Sequence, residues 1–220
     1  MTIVLIVDDH HLIRAGAKNL LEGAFSGMRV EGTETVSDAL AFLGAENTVD
    51  LVLLDVHLPD SDAIDGLIRL KQFDPSNAVA LISGHTDYDL IRVALEAGAD
   101  GFIPKSADPQ VLIHAVSLIL EGEIFLPRSY LQGGMTAETP VPLDVSERPE
   151  QSLTPRQRDV FELMCKGLAN KEIARLLDLS ESTIKSHVSA IFKQIGTTSR
   201  LKTVANFRQE GAVPPSVSED

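Results

Sequence analysis

Apolar runs alternate with amphipathic stretches over the first 125 residues of the chain. The apolar runs are short, rich in Val, Ile and Leu, and bounded by turn residues, which is typical of buried strands. They lie at residues 2–7, 27–32, 49–55, 78–83 and 101–104. Apolar residues recur at helical spacing after each run. Five such strand–helix units predict an α/β fold, a doubly wound five-stranded parallel sheet covered by helices on both faces.

The last seventy residues show helical periodicity only. The sequence TPRQ at 154–157 has a Thr N-cap, a Pro at the first helical position and a Gln that completes a capping box. Further helices are predicted over 170–177, from a Ser180 cap to Ile195, and around 200–208. This pattern predicts a small all-α four-helix domain.

A segment rich in proline, glycine and polar residues separates the two patterns, which is typical of a linker. We therefore expect a first domain at 1–124, a linker at 125–151, a helical domain at 152–213 and a flexible tail at 214–220. No apolar run reaches the roughly eighteen residues that a membrane span needs, so we expect no membrane partner. The single cysteine, Cys165, favours a reducing compartment and hence the cytoplasm.

Charge divides along the same boundary. Residues 1–150 contain 9 Lys and Arg against 24 Asp and Glu, whereas residues 151–208 contain 10 against 5. The overall net charge of −13 therefore hides a basic C-terminal part. Such asymmetry predicts two domains with different partners, of which only the second is suited to nucleic acid.

Reactive side chains stand where four of the predicted strands end. Asp8 and Asp9 follow the first strand, Asp55 ends the third, Ser83 ends the fourth and Lys105 follows the fifth. The carboxyl ends of parallel strands open on one edge of the sheet, so we expect these residues to share a crevice. Three carboxylates favour a hard cation such as Mg²⁺, and Asp55 would then be a nucleophile able to form an acyl phosphate.

The third C-terminal helix has two distinct faces. Its predicted buried face contains Ile184, Val188, Ile191 and Ile195. The opposite face contains Lys185, Ser186, Ser189 and Lys193 and no acidic residue. A solvated basic face is common, but a short helix, a tight turn and a longer basic helix together indicate a helix-turn-helix that enters a DNA major groove.

The motifs VDDHHLIR, LVLLDVHLP, LIS and GFIPKS, in this order, resemble the flavodoxin-like receiver domain of two-component response regulators. The resemblance implies that Asp55 accepts phosphate from a sensor histidine kinase. It also implies Mg²⁺ ligands at Asp9 and Asp55, with Asp8 supporting and the backbone carbonyl of His57 contributing. Phosphoryl binding by Ser83 and Lys105, and an aromatic switch at Phe102, follow from the same resemblance.

One departure concerns the loop after the acceptor. Receiver domains usually carry Asp-Gly three residues after the proline of this loop, but this chain has Asp62-Ala63, and its Asp65-Gly66 comes three residues later. The shape of this loop is therefore expected to differ from the family pattern.

The sequence from Leu153 to Ile195 resembles the LuxR-type DNA-binding domain, above all through NKEIA and SESTIKSHV. The resemblance implies that Lys185, Ser186 and Ser189 face bases of double-stranded DNA. The residues expected near backbone phosphates are Ser182, Thr183, His187 and Lys193. Ser189 replaces a frequent basic residue, which predicts altered base readout. Ala169 replaces a usual capping Ser, and Asn170 is expected to cap one residue later.

These features predict a phosphorylation-controlled DNA-binding transcriptional regulator that forms a homodimer when phosphorylated or bound to DNA. A receiver of this kind supports only its own phosphorylation and dephosphorylation, so the protein is not expected to be an enzyme. Two alternatives stay open: a phosphorylation-independent transcription factor with a degenerate receiver, and an aspartyl-phosphate hydrolase. The hydrolase explains less, because such enzymes need a D-x-D pair on the first strand and this chain has Asp8-Asp9.

Overall fold

A computed structural model describes residues 1–45, 48–85, 87–127, 130, 153–195, 197, 200 and 203. The N-terminal domain is built on a five-stranded parallel sheet in the order β2-β1-β3-β6-β7. Its strands are β1 (Thr2–Val7), β2 (Met28–Thr33), β3 (Leu51–Asp55), β6 (Ala78–Ser83) and β7 (Gly101–Pro104). All four pairings are parallel. The predicted doubly wound sheet is therefore confirmed.

Helices cover both faces of this sheet. They are α1 (His11–Ala24), α2 (Val36–Gly44), α3 (Ala63–Phe73), α4 (Tyr88–Ala97) and α5 (Pro109–Leu120). Successive side chains of a strand point to opposite faces, so β1 supplies Leu5 and Val7 to one core and Val4 and Ile6 to the other. The first core also includes buried residues of α2, α3 and α4, and the second includes those of α1 and α5.

The C-terminal domain contains three described helices, α6 (Pro155–Cys165), α7 (Asn170–Leu177) and α8 (Glu181–Ile195). The predicted capping box begins α6, where the Thr154 hydroxyl accepts from Gln157 N and the Gln157 side chain accepts from Thr154 N. A separate hydrophobic cluster joins the three helices. The predicted fourth helix falls mostly outside the described residues.

The structure adds one element that the sequence pattern did not predict. Two short strands, β4 (His57–Leu58) and β5 (Ser61–Asp62), form an antiparallel hairpin between β3 and α3. This hairpin contains the loop in which the sequence departs from the receiver pattern.

The two domains meet at the amino edge of the sheet, the edge opposite Asp55. Helix α8 faces Val49 and Asp50, the residues that lead into β3. Among the described helices, none is long and apolar enough to cross a membrane.

Candidate functional site

Three of the expected residues form a buried cluster at the carboxyl edge of the sheet. Asp8 and Asp55 are 1% and 2% exposed. The Lys105 ammonium lies 2.7 Å from Asp55 Oδ2 and 2.9 Å from Asp8 Oδ2. Asp55 Oδ1 is buried and has no hydrogen-bond partner. A buried carboxylate oxygen of this kind is costly unless a ligand or cation satisfies it, which distinguishes Asp55 from an ordinary turn aspartate.

The charge of Lys105 is fixed by these two neighbours. Partial burial of the ammonium lowers its pKa, but hydrogen bonds and charge attraction from Asp55 and Asp8 outweigh burial, so the pKa of Lys105 is raised. The side chain is therefore a permanent cation at neutral pH, positioned to neutralise negative charge at Asp55.

The Asp8-Asp9-His10 segment turns back on itself beside this cluster. His10 N donates to Asp8 Oδ1 at 2.8 Å, and the His10 ring nitrogen Nδ1 lies 2.6 Å from Asp9 Oδ1 and 3.2 Å from Asp8 Oδ1. Arg14 Nη1, one turn along α1, donates to the Asp8 carbonyl at 2.6 Å. These contacts bring Asp8, Asp9, His10 and Asp55 together, with one potential ligand atom from each lying within 4.8 Å of all the others.

Ser83 and Phe102 occupy the neighbouring strands. The buried Ser83 hydroxyl donates to His85 O at 2.7 Å and accepts from His85 N at 3.1 Å. Lys105 N donates to Ser83 O, which ties the ends of β6 and β7 together. Phe102 is 1% exposed and lies in the core that contains α2, α3 and α4. Any movement of Phe102 would therefore begin from a buried ring.

Two aspartates hold the β4–β5 hairpin, Asp60 in its turn and Asp62 at the end of β5. Asp62 caps α3, because its Oδ1 accepts from Ile64 N and Asp65 N. The carboxylate of Asp60 accepts from Val36 N and from Ser37 N and Oγ, and these hydrogen bonds outweigh desolvation so that the pKa of Asp60 is lowered. The loop beside the candidate acceptor is therefore anchored to the N-terminus of α2. Ala63, where the sequence departs from the receiver pattern, is the first residue of α3.

Helix α8 has the two faces that its periodicity predicted. The Ser180 hydroxyl accepts from Thr183 N at 3.1 Å and so caps the helix. Ile184, Val188 and Ile191 are buried, and Ile195 packs against the same cluster. Ser186 and Lys193 are exposed, whereas Thr183, Lys185, His187 and Ser189 are half-buried. The side chain of Ser182 lies outside the described residues.

The best candidate for a base contact, Lys185, points at the N-terminal domain. Its ammonium forms a short ion pair with Asp50 Oδ1 and donates to the Val49 carbonyl at 3.2 Å. The other oxygen of Asp50 accepts from Ile3 N at 2.7 Å, which fixes the carboxylate against the sheet. The ammonium of Lys185 is therefore paired with a carboxylate in this arrangement.

A groove of about 540 Å³ runs beside this ion pair. Helix α8 lines it with Lys185, Ser186, Ser189, Ala190 and Lys193, and the other wall includes Leu43, Val49, Phe73 and Asn77. All three side chains that the LuxR resemblance assigns to bases therefore face the N-terminal domain across an incompletely filled gap. The described contacts between the two domains include the ion pair and hydrogen bond of Lys185, and Ala169 also lies beside Gly122 after α5.

One sequence-based expectation about α7 is wrong. Asn170 does not cap this helix, because α7 begins at Asn170 and Ala169 occupies the N-cap position without a side-chain bond. Instead, Glu172 accepts from Ala169 N, and Asn170 Oδ1 accepts from Arg200 Nη1. The Asn170 side chain, which was expected to cap α7, therefore binds Arg200, thirty residues further along the chain.

Three residues at these sites were not predicted from the sequence. His10 and Arg14 lie within the quoted motif VDDHHLIR, so their proximity to Asp8 was a readable signal. Asp50 pairs with a residue 135 positions away, and no local pattern predicts that.

Comparison with known proteins accounts for both parts of the chain. A family described as the response regulator receiver domain matches residues 4–117, and the luxR family of bacterial regulatory proteins matches residues 151–206. The glycerol metabolism activator of Pseudomonas putida is 35% identical over 207 residues, which cover 91% of this chain and 92% of that protein. The nitrate/nitrite response regulator protein NarL of Escherichia coli (strain K12) is 32% identical, with 94% and 95% covered.

Among solved structures, a LuxR family DNA-binding response regulator from Silicibacter pomeroyi is 82% identical. The match covers 59% of this chain and 99% of that chain, with a TM-score of 0.53. The two family matches cover the carboxyl-edge cluster and α8, respectively.

Proposed function

This chain belongs to the response regulators that join a receiver domain to a LuxR-type DNA-binding domain, and on that premise we propose that phosphorylation of Asp55 controls DNA binding by α8. The observation that carries the proposal is the buried, unpartnered Oδ1 of Asp55, beside an oxygen already paired with Lys105. The proposal includes the expected domain limits, which are a receiver domain at 1–124, a linker at 125–151, a DNA-binding domain at 152–213 and a tail at 214–220.

Asp55 acts as the nucleophile. One carboxylate oxygen forms a bond to phosphorus while the bond from phosphorus to the kinase histidine nitrogen breaks, and the electron pair stays with the imidazole. Lys105 then shifts from the carboxylates to an oxygen of the new phosphoryl group. Ser83 binds another phosphoryl oxygen. To do so, its hydroxyl must break the hydrogen bond that it donates to the His85 carbonyl. Phe102, on the strand beside Ser83, carries the change to the surface of the domain.

The residues present fit a Mg²⁺ ion. Asp9 and Asp55 would hold it, with Asp8 supporting and the His57 carbonyl contributing, and the orphaned Asp55 Oδ1 supports this donor set. Bound there, Mg²⁺ would supply positive charge that stabilises the transferring phosphoryl group. Asp8 and Asp55 are buried and Lys105 neutralises only part of their charge, so the site is suited to a further cation.

The DNA-binding part of the proposal depends on α8. Lys185, Ser186 and Ser189 contact bases, and Thr183, His187, Lys193 and Ser182 lie near phosphates. The ion pair of Lys185 with Asp50 supports a closed state in which the receiver competes with DNA for the helix. Phosphorylation releases α8 and exposes a surface for homodimerisation, as expected for a protein that reads paired half-sites. A regulator with these partners, a sensor histidine kinase and double-stranded DNA, acts in the cytoplasm and is not an enzyme.

Incubation with a small-molecule phosphodonor and Mg²⁺ tests the proposal. We expect one added phosphoryl mass located at Asp55 by peptide mapping, together with tighter binding to a DNA half-site. Asp89→Asn serves as the matched control for Asp55→Asn. Asp89 is an exposed carboxylate on α4, so its loss changes the net charge by the same amount.

Other outcomes identify the alternatives. A protein that gains phosphate without a change in DNA affinity is a phosphorylation-independent DNA-binding protein, and a protein that gains none has a degenerate receiver. Continuous turnover of phosphoester substrates would instead identify a hydrolase.

A further inference from the structure

The chain that follows α5 lies along the edge of the sheet. Strand β7 is the last in the sheet order, so one of its edges pairs with β6 and the other faces away from the sheet. Phe125 makes a parallel bridge to Gly101 at that outer edge. Phe102 N donates to Phe125 O at 2.8 Å, and Phe125 N donates to Asp100 O at 3.4 Å. The backbone of the proposed switch residue Phe102 is therefore hydrogen-bonded to the start of the connection between the two domains.

Glycine at position 101 permits this close approach. A Cβ built on Gly101 would lie 3.2 Å from Phe125 O and 2.7 Å from Ile119 Cδ1. Real Cβ atoms essentially never show a contact as short as the second one. A glycine within a strand often marks a place where another backbone comes close, and here that backbone is the one after α5.

The end of this segment packs on the face of the receiver that contains α4. Leu126 and Tyr130 are partly buried against the hydrophobic core to which Phe102 belongs. The ring of Tyr130 stacks on that of Tyr88, the first residue of α4, with centroids 5.9 Å apart and an interplanar angle of 22°. We name residues 122–127 together with Tyr130 the bridge segment.

The other end of the bridge segment touches the DNA-binding domain. Gly122 has a φ of +87°, and a Cβ built on it would lie 3.5 Å from Ala169 Cα and 4.0 Å from the guanidinium carbon of Arg200. Ala169 is buried at the N-cap position of α7. The bridge segment therefore contacts the receiver at α4 and β7 and contacts the second domain at Ala169.

Both residues that respond in the proposed function lie beside this segment. The Ser83 hydroxyl is bonded to His85 N and O, so the loss of its bond to the His85 carbonyl alters the turn that leads into α4. Phe102 shares a core with Tyr130, so a movement of the Phe102 ring changes the surface on which Tyr130 packs. A change at the acceptor can therefore reach the bridge segment by two routes.

We propose that the bridge segment is docked on Tyr88 and β7 in the unphosphorylated protein and undocks when Asp55 is phosphorylated. The inference rests on the proposed function. Undocking moves Gly122 away from Ala169 and so loosens the contact between the domains that keeps α8 from DNA. The partner of this receiver face is thus a segment of the same chain.

The stacked rings can be observed directly, because Tyr88 and Tyr130 are the only two tyrosines of the chain. Full-length protein that contains 3-fluorotyrosine should give two ¹⁹F resonances, and Tyr88→Phe and Tyr130→Phe assign them. Before phosphorylation, Tyr130→Leu should shift the Tyr88 resonance, because the neighbouring aromatic ring is removed. Tyr130→Phe keeps that ring and should leave the Tyr88 resonance near its original position.

The same resonance distinguishes undocking from a local change. After treatment with the phosphodonor and Mg²⁺, the Tyr88 resonance should be the same whether residue 130 is Tyr, Phe or Leu, because the ring at 130 has left. In Asp55→Asn, the dependence on residue 130 should persist after the same treatment.

Titration of a DNA half-site with the unphosphorylated full-length protein supplies a second measurement. Tyr130→Ala should raise the affinity about two- to tenfold, the factor that corresponds to the loss of an aromatic stack, since the docked state is destabilised. Tyr130→Phe is the matched control and should bind as the unaltered protein does.

The outcomes separate the inference from the function beneath it. A Tyr88 resonance that is equal in unphosphorylated Tyr130→Phe and Tyr130→Leu shows that the segment is not docked and overturns the proposal. If phosphorylation of Asp55 strengthens DNA binding while the Tyr88 resonance still depends on residue 130, the proposal is overturned and the proposed function stands. Equal half-site affinities of Tyr130→Ala and Tyr130→Phe overturn the coupling to DNA. Absence of phosphate at Asp55 refutes the proposed function itself, and the undocking with it.

Discussion

Two aspartates in different surroundings lie at the two ends of strand β3. Asp55, at the carboxyl end, belongs to a dense buried cluster with Asp8 and Lys105. Asp50, just before the amino end, reaches across to Lys185 in a contact that borders an open groove. The two residues stand five positions apart, about 17 Å along an extended strand.

The difference between the two ends lies in how their charges are held. The cluster at Asp55 is made of residues at or just after the ends of strands in one sheet, and it contains a buried carboxylate oxygen without a hydrogen-bond partner. The contact at Asp50 joins two domains through a partly exposed ion pair, and such pairs contribute little free energy. In the proposed function, a signal that starts at Asp55 must cross the sheet to reach Asp50.

The largest expected effect comes from Asp55→Asn. This variant should gain no phosphoryl group, and its thermal stability without metal should equal or exceed that of the wild type, because one of three clustered negative charges is removed. Mass spectrometry and thermal unfolding check the two parts. A phosphoryl group at position 55 in this variant would contradict the assignment of the acceptor, and a clearly lowered Tm would show that the carboxylate is structural.

The next effect concerns Lys185, which pairs with Asp50 in this structure and is proposed to contact DNA when α8 is released. In the isolated fragment 152–213, Lys185→Ala should weaken binding to a specific half-site by roughly 1–3 kcal/mol. In the unphosphorylated full-length protein the loss should be smaller, because the same change also breaks the closed contact with Asp50. Equal losses in fragment and full-length protein, measured at one salt concentration, would show that Lys185 does not hold the closed state.

A smaller effect is expected for Asp50→Asn. The amide keeps an acceptor for Ile3 N but loses the charge that holds Lys185. Half-site affinity of the full-length protein should rise about fivefold, which corresponds to about 1 kcal/mol for a partly exposed ion pair, and the gain should shrink as salt rises. Asp89→Asn controls for net charge. If it strengthens DNA binding equally, repulsion from the acidic receiver is responsible, and the ion pair is not.

The smallest effect is a pH dependence at the carboxyl edge. The folded-state pKa of Lys105 is raised above its usual 10.5, so its contribution to stability is fully present below that value and is lost as pH rises through the raised pKa. Urea unfolding between neutral pH and pH about 11 should show a steeper decline for the wild type than for Lys105→Met. Parallel declines would mean that the ammonium gains nothing from Asp8 and Asp55 on folding.

Much of this molecule followed from the sequence. Continuous apolar runs predicted the strands, because a parallel strand is buried on both faces, and helical spacing predicted the helices, because a helix buries one face. The parallel sheet then brought Asp8, Asp55, Ser83 and Lys105 to one edge. The two faces of α8 followed in the same way, since Ile184, Val188 and Ile191 could be buried only together. These features depend on local periodicity and on a topology with few alternatives.

Only the tertiary structure decided the contacts between residues far apart in the chain, because no hydrophobic periodicity predicts them. The pairing of Lys185 with Asp50, the use of Asn170 by Arg200 and the anchoring of Asp60 on α2 each join residues between 23 and 135 positions apart. The inward direction of the His10 ring likewise depends on the turn that Asp8 caps. Such contacts are selected by the shape and charge of surfaces after the elements have packed, and for that reason the amino edge of the sheet could not be predicted while the carboxyl edge could.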